Sequence, residues 1–222
     1  MKKVLVVAPH ADDESLGCGG TLLRLKQQGA QIYWLLLTTP TVESGFSESK
    51  IAERRVEISK VTSLFEFDGV YELGFSASML DTYSQAELIS SMSKIVKDVQ
   101  PDWVFCPYRN DAHSDHQIAF DATLAVTKSF RYPFIKRVMC YETISETNFA
   151  LKPEDPGFKP QVFIDISDVL KKKLDILKIY SSELGDFPFP RSLKAVEALA
   201  TLRGSQANQE ASEAFMLLKE IL

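Results

Sequence analysis

The residues of this chain that could do chemistry are concentrated in two short motifs. Only three histidines occur in its 222 residues. His10 lies in the motif Pro-His-Ala-Asp-Asp-Glu at 9–14, and His113 and His116 lie in His-Ser-Asp-His at 113–116. Histidine is the commonest metal ligand and the usual acid or base near neutral pH, and both motifs also contain aspartate. Together they predict a catalytic metal site.

The residue types match the ligand set of a catalytic zinc ion. Such an ion commonly takes three protein ligands from His, Asp or Glu and leaves one position for water. His10, Asp13 and one histidine of the second motif would supply two nitrogens and a carboxylate. Asp12 then remains free beside the metal to take a proton from water. If His116 is the ligand, His113 lies one helical turn earlier on the same face and is available to the substrate.

Each motif also has a simpler interpretation. Asp12, Asp13 and Glu14 are residues that a helix N-terminus favours through its dipole, and a His-x-x-His pair is common on protein surfaces. Asp115 is of the type that orients an imidazole beside a metal. The joint occurrence of the two motifs, with no histidine elsewhere, favours the metal site.

The pattern along the first 140 residues predicts the elements that position these motifs. Near-continuous apolar runs alternate with helical patterns, which indicates a parallel sheet covered on both faces. This is the doubly wound, Rossmann-like α/β class, and we expect strand order 3-2-1-4-5. The predicted strands are 4–7, 32–37, 70–73, 102–106 and 138–141. The predicted helices are 16–28, 48–67, 83–99 and 115–130.

This strand order brings the two motifs to one place. Strands one and four are neighbours in it, and ligands bind outside the carboxyl ends of the strands where the order reverses. His10 follows the first predicted strand, and His113 and His116 follow the fourth. Motifs that lie roughly 100 residues apart in the chain therefore share one crevice.

The pattern changes after residue 141. Residues 143–160 are polar and contain three prolines. This segment is too long for an ordinary connector, so we interpret it as a lid or an oligomer contact. We expect one more strand and three helices after it, at 162–166, 168–182, 192–203 and 208–221. The chain then forms one domain over 1–222, with a Rossmann-like core over 1–142 and a C-terminal part over 143–222.

Composition limits the partners. The net charge of −5 argues against binding nucleic acid or anionic lipid through a basic face. No run approaches the roughly 18 apolar residues of a membrane span. Cys18, Cys106 and Cys140 are odd in number and widely spaced, which suggests free thiols in a reducing compartment. We expect a cytoplasmic protein that acts on a small molecule.

The glycine-rich stretch at 17–20 has two interpretations. Glycines after a first strand can cradle a pyrophosphate, but the Gly-x-Gly-x-x-Gly spacing is not met, and the acidic turn before them would repel phosphate. Close packing of the first helix on the sheet explains the glycines better. Cys18 then lies inside a packed helix, which makes it an unlikely metal ligand.

The two motifs resemble the signature of the PIG-L/LmbE-like deacetylase family. Residues 9–14, followed by Gly17, Gly19 and Gly20, are similar to its first motif, and residues 113–116 are similar to its second. The resemblance extends along almost the entire chain. Less specific similarities are found at 54–57, 73–75, 163–166, 180–182, 203–204 and 212–215.

The resemblance implies a zinc-dependent hydrolase. It would remove acetyl from an N-acetylglucosamine-type substrate, an acetylated amino sugar or glycoconjugate, by means of a metal-activated water. His10, Asp13 and His116 are implied as ligands of Zn²⁺, although other divalent ions suit such sites. Asp12 is implied as the general base.

Three further roles follow from the same resemblance. A protonated His113 would be the electrostatic or acid partner, and Asp115 would support it. Arg54 falls where the family often has a substrate-contacting arginine. Either Asp12 or His113 would protonate the departing amine.

The chain departs from the family pattern at a few positions. Ala11 and Ser114 stand where proline is frequent, and both are small enough to preserve the ligand geometry. Ala77 stands where many relatives have an aspartate that contacts sugar hydroxyls, so the identity of the sugar is open. Asp81 is a candidate to replace that aspartate from a shifted loop.

Other functions stay open at this stage. One is a related metal amidase that acts on a thiol conjugate or another acyl-amino sugar. A second is a non-catalytic, Rossmann-like binding module, which the acidic crevice and the glycine spacing disfavour. A third is a metal-binding protein without activity.

Overall fold

Alternate residues of the first strand build the two faces of a central sheet. The strand is Lys-Val-Leu-Val-Val-Ala at Lys3–Ala8. Val4 and Val6 belong to one buried apolar cluster, and Leu5 and Val7 belong to a second cluster on the opposite face. All four side chains are fully buried, as expected for a strand with helices on both sides.

Seven strands form this sheet in the computed structural model, which describes residues 1–222. The strands are β1 Lys3–Ala8, β2 Gln31–Thr39, β3 Gly69–Ser76, β4 Trp103–Pro107, β5 Arg137–Tyr141, β6 Val162–Asp165 and β7 Ser212–Glu220. Their order is β3-β2-β1-β4-β5-β7-β6. Strands β1 to β5 are parallel, whereas β7 is antiparallel to both β5 and β6. The predicted order 3-2-1-4-5 and the additional C-terminal strand are confirmed.

Six α-helices cover the sheet. They are α1 Asp13–Gln27, α2 Glu48–Phe65, α3 Gln85–Val99, α4 Ser114–Ala125, α5 Leu170–Leu177 and α6 Leu193–Ala207. Apolar residues of α1, α2, α5 and α6 pack in the cluster around Val4, while those of α3 and α4 pack in the cluster around Leu5. None of these helices combines the length and the apolar character that a bilayer crossing requires.

The prediction of a helix over 208–221 is wrong, because Ser212–Glu220 forms strand β7. The segment is rich in Glu, Ala, Leu, Met and Lys, which favour helices when local propensity decides. Here β7 lies between two strands and pairs with both, for example Met139 with Leu217 and Ile164 with Glu213. Hydrogen bonding along both edges outweighs the local preference.

The glycines of α1 allow the helix to pack closely on the sheet, as predicted. A methyl group on Gly17 would overlap the ring of Tyr141, and one on Gly20 would lie 2.7 Å from Ile166. Cys18 between them has a non-helical φ of −145° and is fully buried, with its Sγ donating to the Glu14 carbonyl. The stretch is thus a kinked packing surface.

Two buried charged residues satisfy the backbone groups that this kink exposes. Glu213 accepts from the amides of Gly20 (2.9 Å) and Thr21 (2.7 Å). Lys173 donates to the Leu16 carbonyl (2.9 Å) and to Glu213 (2.6 Å). Buried backbone groups need such partners, so β7 and α5 stabilise the geometry of α1 directly after the first histidine motif.

We expect Gly17→Ala to destabilise the fold by about 1–3 kcal/mol, because the added carbon overlaps a packed ring. Tyr141 cannot yield easily, since it is fully buried and its hydroxyl donates to the Val7 carbonyl at 2.8 Å. Gly19→Ala is the matched control, because its added carbon would meet Phe65 at an ordinary 3.4 Å. Urea unfolding measures both variants, and an equal loss of stability in the two would contradict the packing argument.

Candidate metal centre

The two histidine motifs meet at the carboxyl edge of the sheet. β1 pairs directly with β4; β1 ends immediately before the first motif, and β4 ends at Pro107, six residues before His113. The rings of His10 and His113 lie 4.5 Å apart, and those of His10 and His116 lie 5.6 Å apart. The topology thus produces the juxtaposition that the strand order predicts.

Local structure holds each motif in place. Asp12 has φ of +145°, a conformation unusual for a side-chain-bearing residue, and α1 begins immediately after it. The Ala11 carbonyl in the same turn accepts from Arg54 at 2.6 Å. On the other side, His113 caps α4, and its Nδ1 accepts from the backbone amide of Asp115 at 3.1 Å.

Three side chains offer ligand atoms to one point. The nitrogen and oxygen atoms of His10, Asp13 and His116 lie within 4.8 Å of one another. His116 Nε2 is 3.3 Å from one oxygen of Asp13, and His10 Nδ1 is 3.4 Å from the other. Two imidazoles and one carboxylate are a ligand set typical of catalytic zinc.

The remaining nitrogen of each histidine contacts a carboxylate. His10 Nε2 lies 2.9 Å from Asp115 Oδ2, and His116 Nδ1 lies 2.7 Å from Asp111 Oδ2. Metal-binding histidines almost always have such a partner, which fixes the ring orientation. The residues present therefore fit a divalent metal, with His10 Nδ1 and His116 Nε2 as the binding atoms.

A second group of possible ligands consists of His10, His113 and Asp115. Its atoms are already engaged within the protein. Asp115 accepts from the amides of Ser78 (2.8 Å) and Leu80 (3.1 Å) and contacts His10. His113 Nδ1 accepts from the Asp115 amide. The first group is the better candidate, because fewer hydrogen bonds would have to break.

The carboxylates around the two candidate ligand histidines raise the pKa values of their imidazoles. Burial disfavours the imidazolium of His10, but its hydrogen bonds to Asp115 and Asp13 outweigh burial and raise the pKa to about 9. Burial acts likewise on His116, where Asp13 and Asp111 raise the pKa well above its ordinary value. A metal must displace these protons, so its affinity should depend on pH.

Asp12 lies beside this group without belonging to it. Burial raises its pKa to about 8; the neighbouring Asp13 adds to the rise, and Arg191 opposes it. Arg191 Nη1 lies 3.0 Å from Asp12 Oδ2. A carboxyl group that titrates near neutral pH is suited to both accepting and returning a proton.

His113 is held in one neutral form. Because its Nδ1 accepts a backbone amide proton, its own proton resides on Nε2, which lies 3.4 Å from the Ser78 hydroxyl. Burial and the nearby His10 lower the pKa of His113 to about 4. The imidazolium expected from the sequence is therefore disfavoured, and the group available to a ligand is a neutral Nε2–H. The Asp115 carboxylate contacts His10, not His113.

An open pocket of about 160 Å³ is lined by the three histidines together with Asp12 and Asp13. Arg54 lines it and pairs with Glu57 and Glu183. Ala77 and Ser78 also line it, whereas Asp81 is exposed and does not. No carboxylate from the loop after β3 enters the pocket to replace the aspartate that many relatives have at position 77.

Four pocket or support residues escape prediction from the sequence. Asp111 lies five residues before His116 in a loop after β4, a position where a supporting carboxylate could have been sought. Glu146 comes from the irregular stretch 143–160, and Glu183 and Arg191 flank the proline-rich stretch near 185–190. Nothing local marks these three, because only the tertiary fold brings them to the pocket.

Comparison with known proteins identifies a matching family and several relatives. Residues 5–127 match the model of the PIG-L family, described as GlcNAc-PI de-N-acetylase. Diacetylchitobiose deacetylase of Thermococcus kodakarensis is 28% identical over 197 residues, which cover 82% of this chain and 70% of that protein. Probable N-acetyl-alpha-D-glucosaminyl L-malate deacetylase 2 of Bacillus anthracis is 26% identical over 190 residues, with coverage of 82% and 81%.

Solved structures share the fold. A conserved protein from Thermus thermophilus superposes with a TM-score of 0.78 at 26% identity, covering 100% of this chain and 97% of that one. N,N'-diacetylchitobiose deacetylase from Pyrococcus horikoshii, complexed with an inhibitor, gives a TM-score of 0.79 at 23% identity, with coverage of 98% and 84%. At that identity the second likeness concerns the fold alone.

Proposed function

Since the chain belongs to the PIG-L family, we propose that it is a metal-dependent N-deacetylase of an N-acetylglucosamine-type amino sugar. The observation that carries this proposal is the convergence of His10, Asp13 and His116 beside the buried Asp12, in an open pocket. The curated relatives named for deacetylation of amino sugars support the substrate class.

We propose that His10 Nδ1, the Asp13 carboxylate and His116 Nε2 hold a divalent cation, with zinc as the first candidate. When bound, such an ion supplies Lewis acidity that activates water and polarises the acetyl carbonyl. Asp115 and Asp111 orient the two imidazoles through the nitrogens that face away from the ion. In this assignment Asp115 is a positioning residue for His10.

Asp12 is proposed as the general base. Its carboxylate accepts a proton from the attacking water and returns it to the departing amine. Arg191, at 3.0 Å, holds the carboxylate in position. His113 is disfavoured as the acid, because its Nδ1 is occupied and its proton sits on Nε2 in a neutral ring.

His113 Nε2–H is proposed to stabilise the tetrahedral oxyanion. A preorganised donor aimed at developing charge gains strength in a site that excludes water. Ser78 Oγ, at 3.4 Å, is its partner when no substrate is present. Arg54 supports the site by donating to the Ala11 carbonyl, and it contributes to the pocket wall where a sugar would lie.

The supporting carboxylates carry a prediction about metal affinity. We expect Asp111→Asn to weaken metal binding about 10–100-fold, the usual effect of removing such a partner. Chelator competition measures the affinity. Asp121→Asn is the matched control on α4, because Asp121 pairs with the exposed Arg109 away from the site. Unchanged affinity in Asp111→Asn would contradict the role of this carboxylate.

Acetate release tests the proposed function. Purified protein is incubated with N-acetylglucosamine, N,N'-diacetylchitobiose and N-acetylglucosaminyl malate, with and without chelator. We expect release that stops on chelation and returns when zinc is added. Release from other amides but from none of these sugars would favour the alternative amidase. Absence of both metal uptake and release would favour a binding module.

A further inference from the structure

We propose that this site selects N-acetylglucosamine substrates whose attached group is uncharged and discriminates against those that carry a carboxylate or phosphate there. The inference rests on the proposed function and concerns the charge of the substrate. It follows from the way in which the arginines of the pocket are already paired.

Each nitrogen of Arg54 is already engaged within the protein. Its Nη1 donates to the Ala11 carbonyl at 2.6 Å. Its Nη2 pairs with Glu183, and its Nε lies 3.2 Å from Glu57. Its side chain is only 13% exposed. An incoming anion would compete with these two glutamates for the guanidinium.

Arg191 is engaged on every nitrogen as well. Nη1 lies 3.0 Å from Asp12 and 3.1 Å from Glu183, and Nη2 lies 3.3 Å from Glu146. Nε donates to the Ser145 hydroxyl at 2.8 Å. Glu183 thus bridges both arginines, and Glu146 holds the far side of the second one.

Every cationic side chain that lines the pocket is already paired with a carboxylate. Four carboxyl groups and two guanidinium groups line it, and none of its lining residues is lysine. Glu57 adds a fifth carboxyl group behind Arg54. A divalent ion held by His10, Asp13 and His116 would add positive charge at the reacting end of the pocket, but both guanidinium groups would stay paired with carboxylates. A glutamate displaced from its arginine would then lie close to the anionic group of the substrate, and the repulsion between them disfavours the anionic substrate.

The same groups suit a neutral saccharide. Ionised carboxylates are pure acceptors, so Glu146 and Glu183 can accept hydrogen bonds from sugar hydroxyls while they remain paired with Arg191. Phe46 lines the pocket and is 39% exposed, which offers an apolar surface to the face of a sugar ring. Selection against anions therefore does not require weak binding of neutral sugars.

Steady-state kinetics with two substrates test this inference. N,N'-diacetylchitobiose carries an uncharged second sugar, whereas N-acetylglucosaminyl malate carries two carboxylates. We expect kcat/KM for the neutral compound to be at least about tenfold higher at low salt, and the ratio to shrink as salt screens the repulsion. Equal values, or a preference for the malate conjugate, would overturn the proposal.

Charge-neutral variants assign the discrimination to particular residues. Glu146→Gln and Glu183→Gln each remove a carboxylate that is paired with an arginine. The ratio of kcat/KM for the malate conjugate to kcat/KM for diacetylchitobiose should therefore rise by at least about tenfold. Glu87→Gln, an exposed carboxylate on α3 outside the pocket, is the control and should leave the ratio unchanged. Both pocket variants are first checked for cooperative unfolding. An unchanged ratio in both would contradict the assigned mechanism.

Calorimetric titration of the zinc-loaded protein with the deacetylated products of the two compounds separates this inference from the proposed function. The products do not turn over, and we expect tighter binding of the product of diacetylchitobiose. Failure to release acetate from any sugar would contradict the deacetylase function, yet the order of the two Kd values would still decide the charge preference. Tighter binding of the deacetylated malate conjugate would reject it.

Discussion

Asp12→Ala lowers kcat by about 10²–10⁴-fold, the usual contribution of a general acid or base, while metal content is retained. The physical reason is the position of the carboxylate. It is buried beside the candidate ligands but does not belong to the candidate ligand group of His10, Asp13 and His116. Steady-state kinetics and metal analysis of the same preparation measure the two quantities separately.

Asp12→Asn extends this test because amide and carboxylate have nearly the same shape. The amide cannot accept a proton at neutral pH, so activity should fall as far as in the alanine variant. Asp98→Asn, an exposed substitution on α3, is the control for the general effect of removing one carboxylate. Near-normal turnover in Asp12→Asn would overturn the base assignment and direct attention to another proton acceptor.

His113→Ala distinguishes the oxyanion donor from a ligand. We expect a loss of kcat of about 10²–10³-fold, as when one oxyanion donor is removed, with metal content retained. His113 Nε2–H faces the pocket, and its Nδ1 is held by the Asp115 amide. Loss of the metal in this variant would instead favour the ligand group that contains His113 and Asp115.

The sheet could be predicted from the sequence as far as local pattern and chain order determine it. Apolar runs such as 4–7 and 32–37 mark buried strands because helices cover both faces. β7 could not be predicted in this way, because its residues favour a helix and its pairing with β5 and β6 exists only in the assembled sheet. Strand order beyond the fifth strand depends on such tertiary contacts.

The residues of the candidate site likewise fall into those that local pattern and chain order place and those that only tertiary contacts place. His10 and His116 could be placed together because each motif follows a strand end and the topology makes β1 and β4 neighbours. Arg191 could not be placed, since 179 residues separate it from its partner Asp12. The tautomer of His113 was also beyond the sequence, because it depends on a single backbone amide at the start of α4.

His116→Ala abolishes metal binding, and activity falls with it. The substitution removes one of three donors and leaves Asp13 and Asp111 without the imidazole between them. A site with two remaining protein ligands lacks the three that hold a catalytic ion, so metal content should fall from about one ion per chain to near zero. Metal analysis after dialysis measures this directly.

Because His116 is only 1% exposed, its loss could also disturb folding, and His10→Ala is therefore the paired variant. His10 is 22% exposed and supplies another of the three donors, so its removal should eliminate the metal at less cost to stability. If both variants unfold cooperatively and still bind one equivalent of zinc, the ion must lie elsewhere. Loss of metal in both, together with retention in Asp12→Ala and His113→Ala, would separate the metal ligands from the proposed base and oxyanion donor by a single assay.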